Sequence, residues 1–278
     1  MSTLTNKIDF AVILSVSHAN PNGDPLNGNR PRETYEGYGE ISDVCIKRKI
    51  RNRLQDMGYN IFVQSEERCD DGFDSLSARA AANAALKAAG SDRKAYARAA
   101  CENWMDVRSF GQVFAFKKGG KGEDSISVGV RGPVTVQSAF SVEPVEIDSI
   151  QITKSVNSES KQGKSSDTMG MKHRVEYGIY VFYGSINPQL AETTGFSDED
   201  AEAIKKALIS LFENDCSSAR PDGSMEVKKV YWWKHNCKAG QYSSAKVHGT
   251  LHVEQQEREV VINEQPLADL KPEIYDGI

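Results

Sequence analysis

Five cations fall within seven residues at 47 to 53 (KRKIRNR), with no acid among them. Guanidinium forks and ammonium groups at this density suit phosphate oxygens, which guanidinium meets through two parallel hydrogen bonds. On a helix, Lys47 lies four residues from Arg51 and Lys49 four from Arg53. Like charges at that spacing repel by about 0.2–0.5 kcal/mol per pair. A phosphate chain lying along the helix relieves this repulsion. The alternative is a plain solvated face, turned away from Ile46, Ile50 and Leu54.

A second concentration of chemistry lies at 154 to 174, where Lys154, Lys161, Lys164, Lys172, His173 and Arg174 face only Glu159 and Asp167. Met169 and Met171 flank Gly170 near its end. Basic backbone with a thioether wedge suits a finger that tracks a nucleic-acid backbone and presses between bases; an ordinary mobile loop has the same composition. The loop HANPNGDP (18 to 25) offers Asn20 and Asn22 to sugar or phosphate, or forms a structured turn. An enzyme reading makes Asp24 or His18 a catalytic acid or base. His235, Cys237, His248 and His252 are spaced loosely like metal ligands, but C-x-x-C and H-E-x-x-H patterns are absent. On a strand, His248 and His252 stand roughly 13 Å apart, too far for one ion.

The elements that must position these groups follow from periodicity. Residues 8–16 (IDFAVILSV) form a buried strand, and Ser42 or Asp43 opens a helix that stops at Gly58. Residues 59–106 are mostly helical. An Ala-rich helix at 75–89 ends at Gly90, and a second, capped by Ser91, runs through Trp104. Strands are expected at 110–116, 125–131, 133–142, 174–186, 226–233, 247–253 and 258–262, with a flexible basic turn, KKGGKG, at 117–122. Ser197 and Asp200 start an amphipathic helix with a capping-box pattern. The strongest elements read strand 8–16, helix 42–57, strands 133–142 and 174–186, helix 197–212, strand 226–233. That is βαββαβ, the ferredoxin-like or RNA-recognition-motif order.

Composition bounds the partners. The chain of 278 residues carries 34 Lys plus Arg and 39 Asp plus Glu, a net charge of −5. Residues 254–278 hold seven of the acids and two of the bases, so the other 253 residues balance at 32 against 32. Acidity therefore does not exclude a polyanionic partner; the placement of cations decides. The longest apolar stretch, Phe10 to Leu14, is strand-sized, and no membrane span or signal peptide is expected. Five cysteines without C-x-x-C pairs point to a reducing cytoplasm.

Several segments together resemble a known family: HANPNGDP, SDVCIKRKIRN (42–52), DVRSFGQVFAF (106–116), RGPVTVQSAFSVEPV (131–145), MGMKHRVEYGIYVFYGSINP (169–188) and WWKHNCKAGQYSSAKVHG (232–249). In this order, over essentially the whole chain, they resemble the repeating backbone subunit of type I-C CRISPR-associated surveillance complexes (Cascade), within the repeat-associated RNA-binding superfamily.

The resemblance implies an α+β fold, a modified ferredoxin-like or RNA-recognition-motif palm with a helical finger insertion and a flexible thumb excursion. The implied division is 1–58 palm, 59–131 finger, 132–145 palm strand, 146–173 thumb, and 174–278 palm and acidic C-terminal segment. It implies copies stacked along a guide CRISPR RNA, held mainly by backbone, with bases left to pair with target DNA and other subunits of the complex alongside. RNA contacts are implied at Asn20, Asn22, Ser42, Lys47, Arg48, Lys49, Arg51 and Arg53. Further contacts are implied at Lys154, Thr168, Met169, Met171, Lys172, His173, Arg174, Lys238 and Lys246. No catalytic residue, metal or cofactor is implied. Related type III subunits cleave target RNA with an Asp in the loop after the first strand, where Asp24 lies. The alternative is therefore a metal-dependent endoribonuclease using Asp24 and His18. A protein-only interaction module is a third possibility.

Overall fold

A computed structural model describes residues 2–115, 127–153 and 169–278. The KKGGKG turn, Lys154, Lys161, Lys164 and Thr168 lie outside the described residues.

The chain opens with β1 (Ile8–Ala19), apolar on both faces because it runs through the middle of a sheet. The short pair β2 (Gly23–Asp24) and β3 (Arg30–Pro31) forms the following loop, and β4 (Tyr38–Ile41) leads into α1 (Asp43–Asp56). The Ser42 hydroxyl caps α1 by accepting from the Cys45 N–H, and Gly58, at φ +86°, ends the turn beyond it. A helical unit follows: α2 (Leu76–Ala82), α3 (Ala84–Ala89), α4 (Arg93–Asn103) and α5 (Met105–Phe110). The hairpin β5 (Gly111–Ala115) and β6 (Ser127–Arg131) closes it. Next come β7 (Val134–Val136), β8 (Ala139–Pro144), β9 (Ile147–Thr153) and the 18-residue β10 (Met169–Ile186). The remainder is α6 (Pro188–Thr194), α7 (Asp198–Ile209), β11 (Met225–Lys234), α8 (Ser244–His248), β12 (Leu251–Gln256), β13 (Glu259–Glu264) and β14 (Glu273–Asp276).

The main sheet is antiparallel in the order β14-β11-β1-β10-β8-β4, with β7 and β9 also paired to β10. On one face, Phe10, Val12, Leu14, Tyr180, Phe182 and Trp232 pack under Ile46, Ile50 and Leu54 of α1 and Ile204 and Leu208 of α7. On the other face, Ala11, Ile13, Ile179, Tyr231 and Trp233 are covered by α8 and the β12–β13 hairpin. A separate core of Phe62, Leu86, Ala100, Trp104, Val107 and Phe114 lies in the helical unit. Arg108 of α5 clamps that unit to α7, its fork donating to both Asp200 oxygens at 2.9 and 2.8 Å.

Several local expectations needed correction. The Ala-rich helix breaks at Asn83, whose side chain accepts from the Leu86 N–H and starts α3. Asp92, not Ser91, caps α4. The strand expected at 133–142 is split into β7 and β8: both pair with β10, but the register slips by one residue between them, Val136 facing Gly184 and Phe140 facing Val181. His248 ends a short helix, not a strand. Residues 169–173 extend β10 well beyond the expected start at 174. The capping box at Ser197 and Asp200 is present in both directions.

Candidate nucleic-acid interface

Helix α1 does not present all its cations to solvent. Lys49 is 4% exposed and buried beside Ile46, Ile50 and Leu54, its ammonium paired with Asp215 and lying 5.5 Å over the Phe212 ring. This corrects the expectation of a single cationic face turned from the core. Burial lowers the Lys49 pKa, and the Asp215 charge opposes that shift. Arg51 donates to the wholly buried Asp106 at 2.9 Å, and the same carboxylate accepts from the Phe62 and Val63 N–H groups. Lys47 pairs with Asp43, and Arg53 donates to the Ser210 hydroxyl at 2.7 Å.

Arg48, like Arg53, has no acid partner among the described residues; it gives one hydrogen bond to the Val63 carbonyl at 2.6 Å. Burial, then the neighbouring Arg51 charge, lower its pKa, and the Asp106 charge opposes them. Cys45, Arg48, Lys49 and Asn52 share one side of α1 and form one wall of an open groove of about 690 Å³. Ser65, Glu67 and Arg68 form a second wall, and residues 214–217 with Arg220 a third. The groove lining holds four cations against the carboxylates of Glu67 and Asp215. Asn52 stands four residues beyond Arg48, so helical periodicity points to it. Ser65, Arg68 and Arg220 come from distant loops, and no local pattern points to them.

The loop after β1 continues the groove. The Asn20 N–H donates to the Ala219 carbonyl at 2.9 Å, and its buried side chain donates to Asn29 O at 2.7 Å. The Asn22 oxygen accepts from both the N–H and the hydroxyl of Ser42, at 2.9 and 2.8 Å. Asn22 thus holds the residue that caps α1. Asp24 caps the turn at residues 25–27 and pairs with Arg32 at 3.4 Å. His18 pairs with Glu176 at 3.0 Å. Asp24 and His18 are thus each engaged by a different partner.

Beyond the loop, β9 and the first residues of β10 form a two-stranded arm. Register puts Met169, Met171 and His173 on one face with Thr153, Gln151 and Ser149. Lys172 and Arg174 take the other face, with Ile150 and Asp148. Met169 and Met171 are 64% and 54% exposed. Arg30 and His173 both meet the Ser149 hydroxyl at 2.9 Å, so the loop abuts the arm's base. Groove, loop and arm are therefore contiguous. Lys238 and Lys246 stand apart from them: the first pairs with Glu192, the second lies 4.6 Å over the Tyr242 ring, and α8 is on the sheet face opposite α1.

Of the four residues spaced like metal ligands, His235 is spent on the buried carboxylate of Asp9, and His248 Nε2 on the Gly184 carbonyl at 3.2 Å. His235 accepts from the Gln241 N–H at Nδ1, so its Nε2–H donates to Asp9 at 2.9 Å. His248 stacks on Tyr183 at 4.8 Å. No group of three metal-ligating side chains occurs among the described residues. No helix among them is long and apolar enough to cross a membrane.

The model of the family "CRISPR-associated protein Cas7" matches residues 6–271. A protein of that description from Haloferax volcanii is 29% identical over 247 residues, covering 78% of this chain and 67% of the relative. A chain of a solved "CRISPR RNA-guided surveillance complex, pre-nicking" superposes with a TM-score of 0.50 at 15% identity, over 82% of this chain and 78% of that one. At that identity the likeness speaks of fold alone.

Proposed function

The chain belongs to the CRISPR-associated protein Cas7 family, and from that premise we propose that it is a non-catalytic guide-RNA-binding subunit. Several copies stack along one guide CRISPR RNA and, with other subunits, form the backbone of a surveillance complex in the cytoplasm; the motifs resemble type I-C. The observation that carries this reading is the extent of the family match, which spans the groove, the loop and the arm together. We read the antiparallel set β11-β1-β10-β8 with α1 and α7 on one face as an RNA-recognition-motif palm. The unit at 59–131 is then the finger, and the segment at 146–173 the thumb.

An RNA-recognition motif ordinarily stacks bases on its open sheet face. Here α8 and β12–β13 cover that face, which supports a guide held through its backbone in the α1 groove. Arg48, Arg220 and Arg68 supply charge there, the loop at Asn20 and Asn22 shapes the path, and Met169, Met171 and Lys172 act from the arm. Such a grip accepts any guide sequence and leaves bases to pair with target DNA. Asp24 is read as structural, because its Oδ1 accepts from both the Leu26 N–H and Arg32.

Co-expression with a guide tests the function. We expect RNA to co-purify, with an absorbance ratio at 260 to 280 nm typical of a ribonucleoprotein and a mass of several copies per guide. A nucleic-acid-free monomer overturns the proposal. Labelled complementary RNA, with and without divalent metal, tests the enzymatic alternative; metal-dependent cleavage lost in Asp24→Ala establishes it.

A further inference from the structure

Two polar side chains of the groove have unmet hydrogen-bonding capacity. Asn52 Oδ1 and Ser65 Oγ are buried atoms without a hydrogen-bond partner, and both residues line it. Asn52 is the more informative. Asn is a weak helix former, and this one lies in the interior of α1, where its amide makes no hydrogen bond to any described residue. Because neither end of the amide is engaged and its terminal torsion is soft, a half-turn brings its oxygen or its NH₂ to the groove at no loss of a bond.

A nucleic-acid backbone offers mostly acceptors. Phosphate and deoxyribose carry no donor; the ribose 2′-hydroxyl is the backbone's single donor. The groove cations, and the Asn52 NH₂ when turned inward, meet acceptors of either polymer, but the idle Asn52 oxygen receives a donor from a bound backbone only where that backbone is ribose. We propose that Asn52, assisted by Ser65, receives the 2′-hydroxyl of the bound strand and so makes the groove select RNA over DNA. This rests on the groove being the path of the guide, and it adds to that path a means of rejecting deoxyribose.

The test uses fluorescence anisotropy of the full chain with three labelled strands of one sequence: RNA, DNA and 2′-O-methyl RNA. Wild-type protein is expected to bind RNA about tenfold tighter than the other two, the effect of one acceptor left unsatisfied. Asn52→Leu, which keeps the γ-branched shape and favours helix, is expected to bring RNA down to the level of DNA. Its salt dependence is expected to stay unchanged, because no charge is removed. Ser65→Ala, off the helix, serves as a second variant should Asn52→Leu lower the melting temperature, and is expected to narrow the RNA-to-DNA ratio. An unchanged ratio in both variants overturns the inference, as does an equal fall for RNA and DNA or 2′-O-methyl RNA binding like RNA. Wild-type protein that binds none of the strands overturns guide binding in the groove itself, a different result from an unselective groove.

Discussion

The buried pair of Lys49 and Asp215 allows the role of one cation to be decided by asymmetry. Asp215 serves two cations: the Lys49 ammonium, and Arg220 Nε at 3.4 Å. Asp215→Asn leaves Lys49, at 4% exposure, with no counter-charge. Removing one partner of a buried pair costs about 3–5 kcal/mol, a large share of the ~5–15 kcal/mol that holds a typical protein folded. Arg220 is more exposed and adds little. Lys49→Met removes the ammonium, keeps most of the stem's volume, and leaves Asp215 paired with Arg220, so its cost is about 1 kcal/mol or less. Urea unfolding followed by tryptophan fluorescence measures both, with stability taken from linear extrapolation. Asp215→Asn is expected to be the worse by at least about 2 kcal/mol. Because the ammonium faces Asp215, Lys49→Met is also expected to leave the salt dependence of guide binding unchanged. Equal stability losses would falsify the pairing argument. A log–log slope reduced by about 0.7, one phosphate contact on a single strand, would show that the Lys49 charge meets RNA after all.

Other outcomes follow from the same geometry. Arg48→Gln, which removes the groove cation without an acid partner, is expected to weaken guide binding for all sequences alike and to shallow the salt slope by about 0.7, read from titrations at several salt concentrations. Burial lowers the His248 pKa from its ordinary 6.5, with the Asp9 charge opposing. The folded imidazole therefore stays neutral where the unfolded one takes up a proton. That stability is fully present above pH 6.5 and is lost as pH falls through the folded value. Melting temperatures between pH 7 and 5 are expected to fall less steeply in His248→Gln. Gly184→Ala drives a methyl group into the Phe10 ring and the Thr135 carbonyl, and is expected to cost about 1–3 kcal/mol in the same urea experiment.

Much of this was legible in the sequence where the cause is local. The apolar run at 8–16, the Ser42 cap, the Gly58 stop and the Ser197–Asp200 box each depend on neighbours a few residues apart. The identity of the basic helix was equally plain. The fate of its charges was not, because Asp215 and Asp106 arrive from 166 and 55 residues away, and side-chain spacing along one helix does not register them. Polar strands also escaped notice: 169–173 has no buried face to impose alternation, and is a strand only because β9 lies beside it. Likewise the groove's far walls, Ser65 and Arg220, carry no pattern that points towards α1.

The length of β10 has a mechanical consequence. At about 3.3 Å per residue its 18 residues reach about 60 Å. From Val175 to Ile186 it is clamped by β1 on one edge and by β7 and β8 along the other, while 169–174 pairs, among the described residues, with β9 alone. The arm is thus the overhang of a beam whose root is the molecule's central strand. The strand runs unbroken from Met169 to Ile186, so a load on the tip becomes a torque on the sheet instead of a local swing. The angle between arm and sheet is accordingly a stiff dimension of the molecule; in the stack proposed above it would serve as a ruler, setting the same interval for each copy.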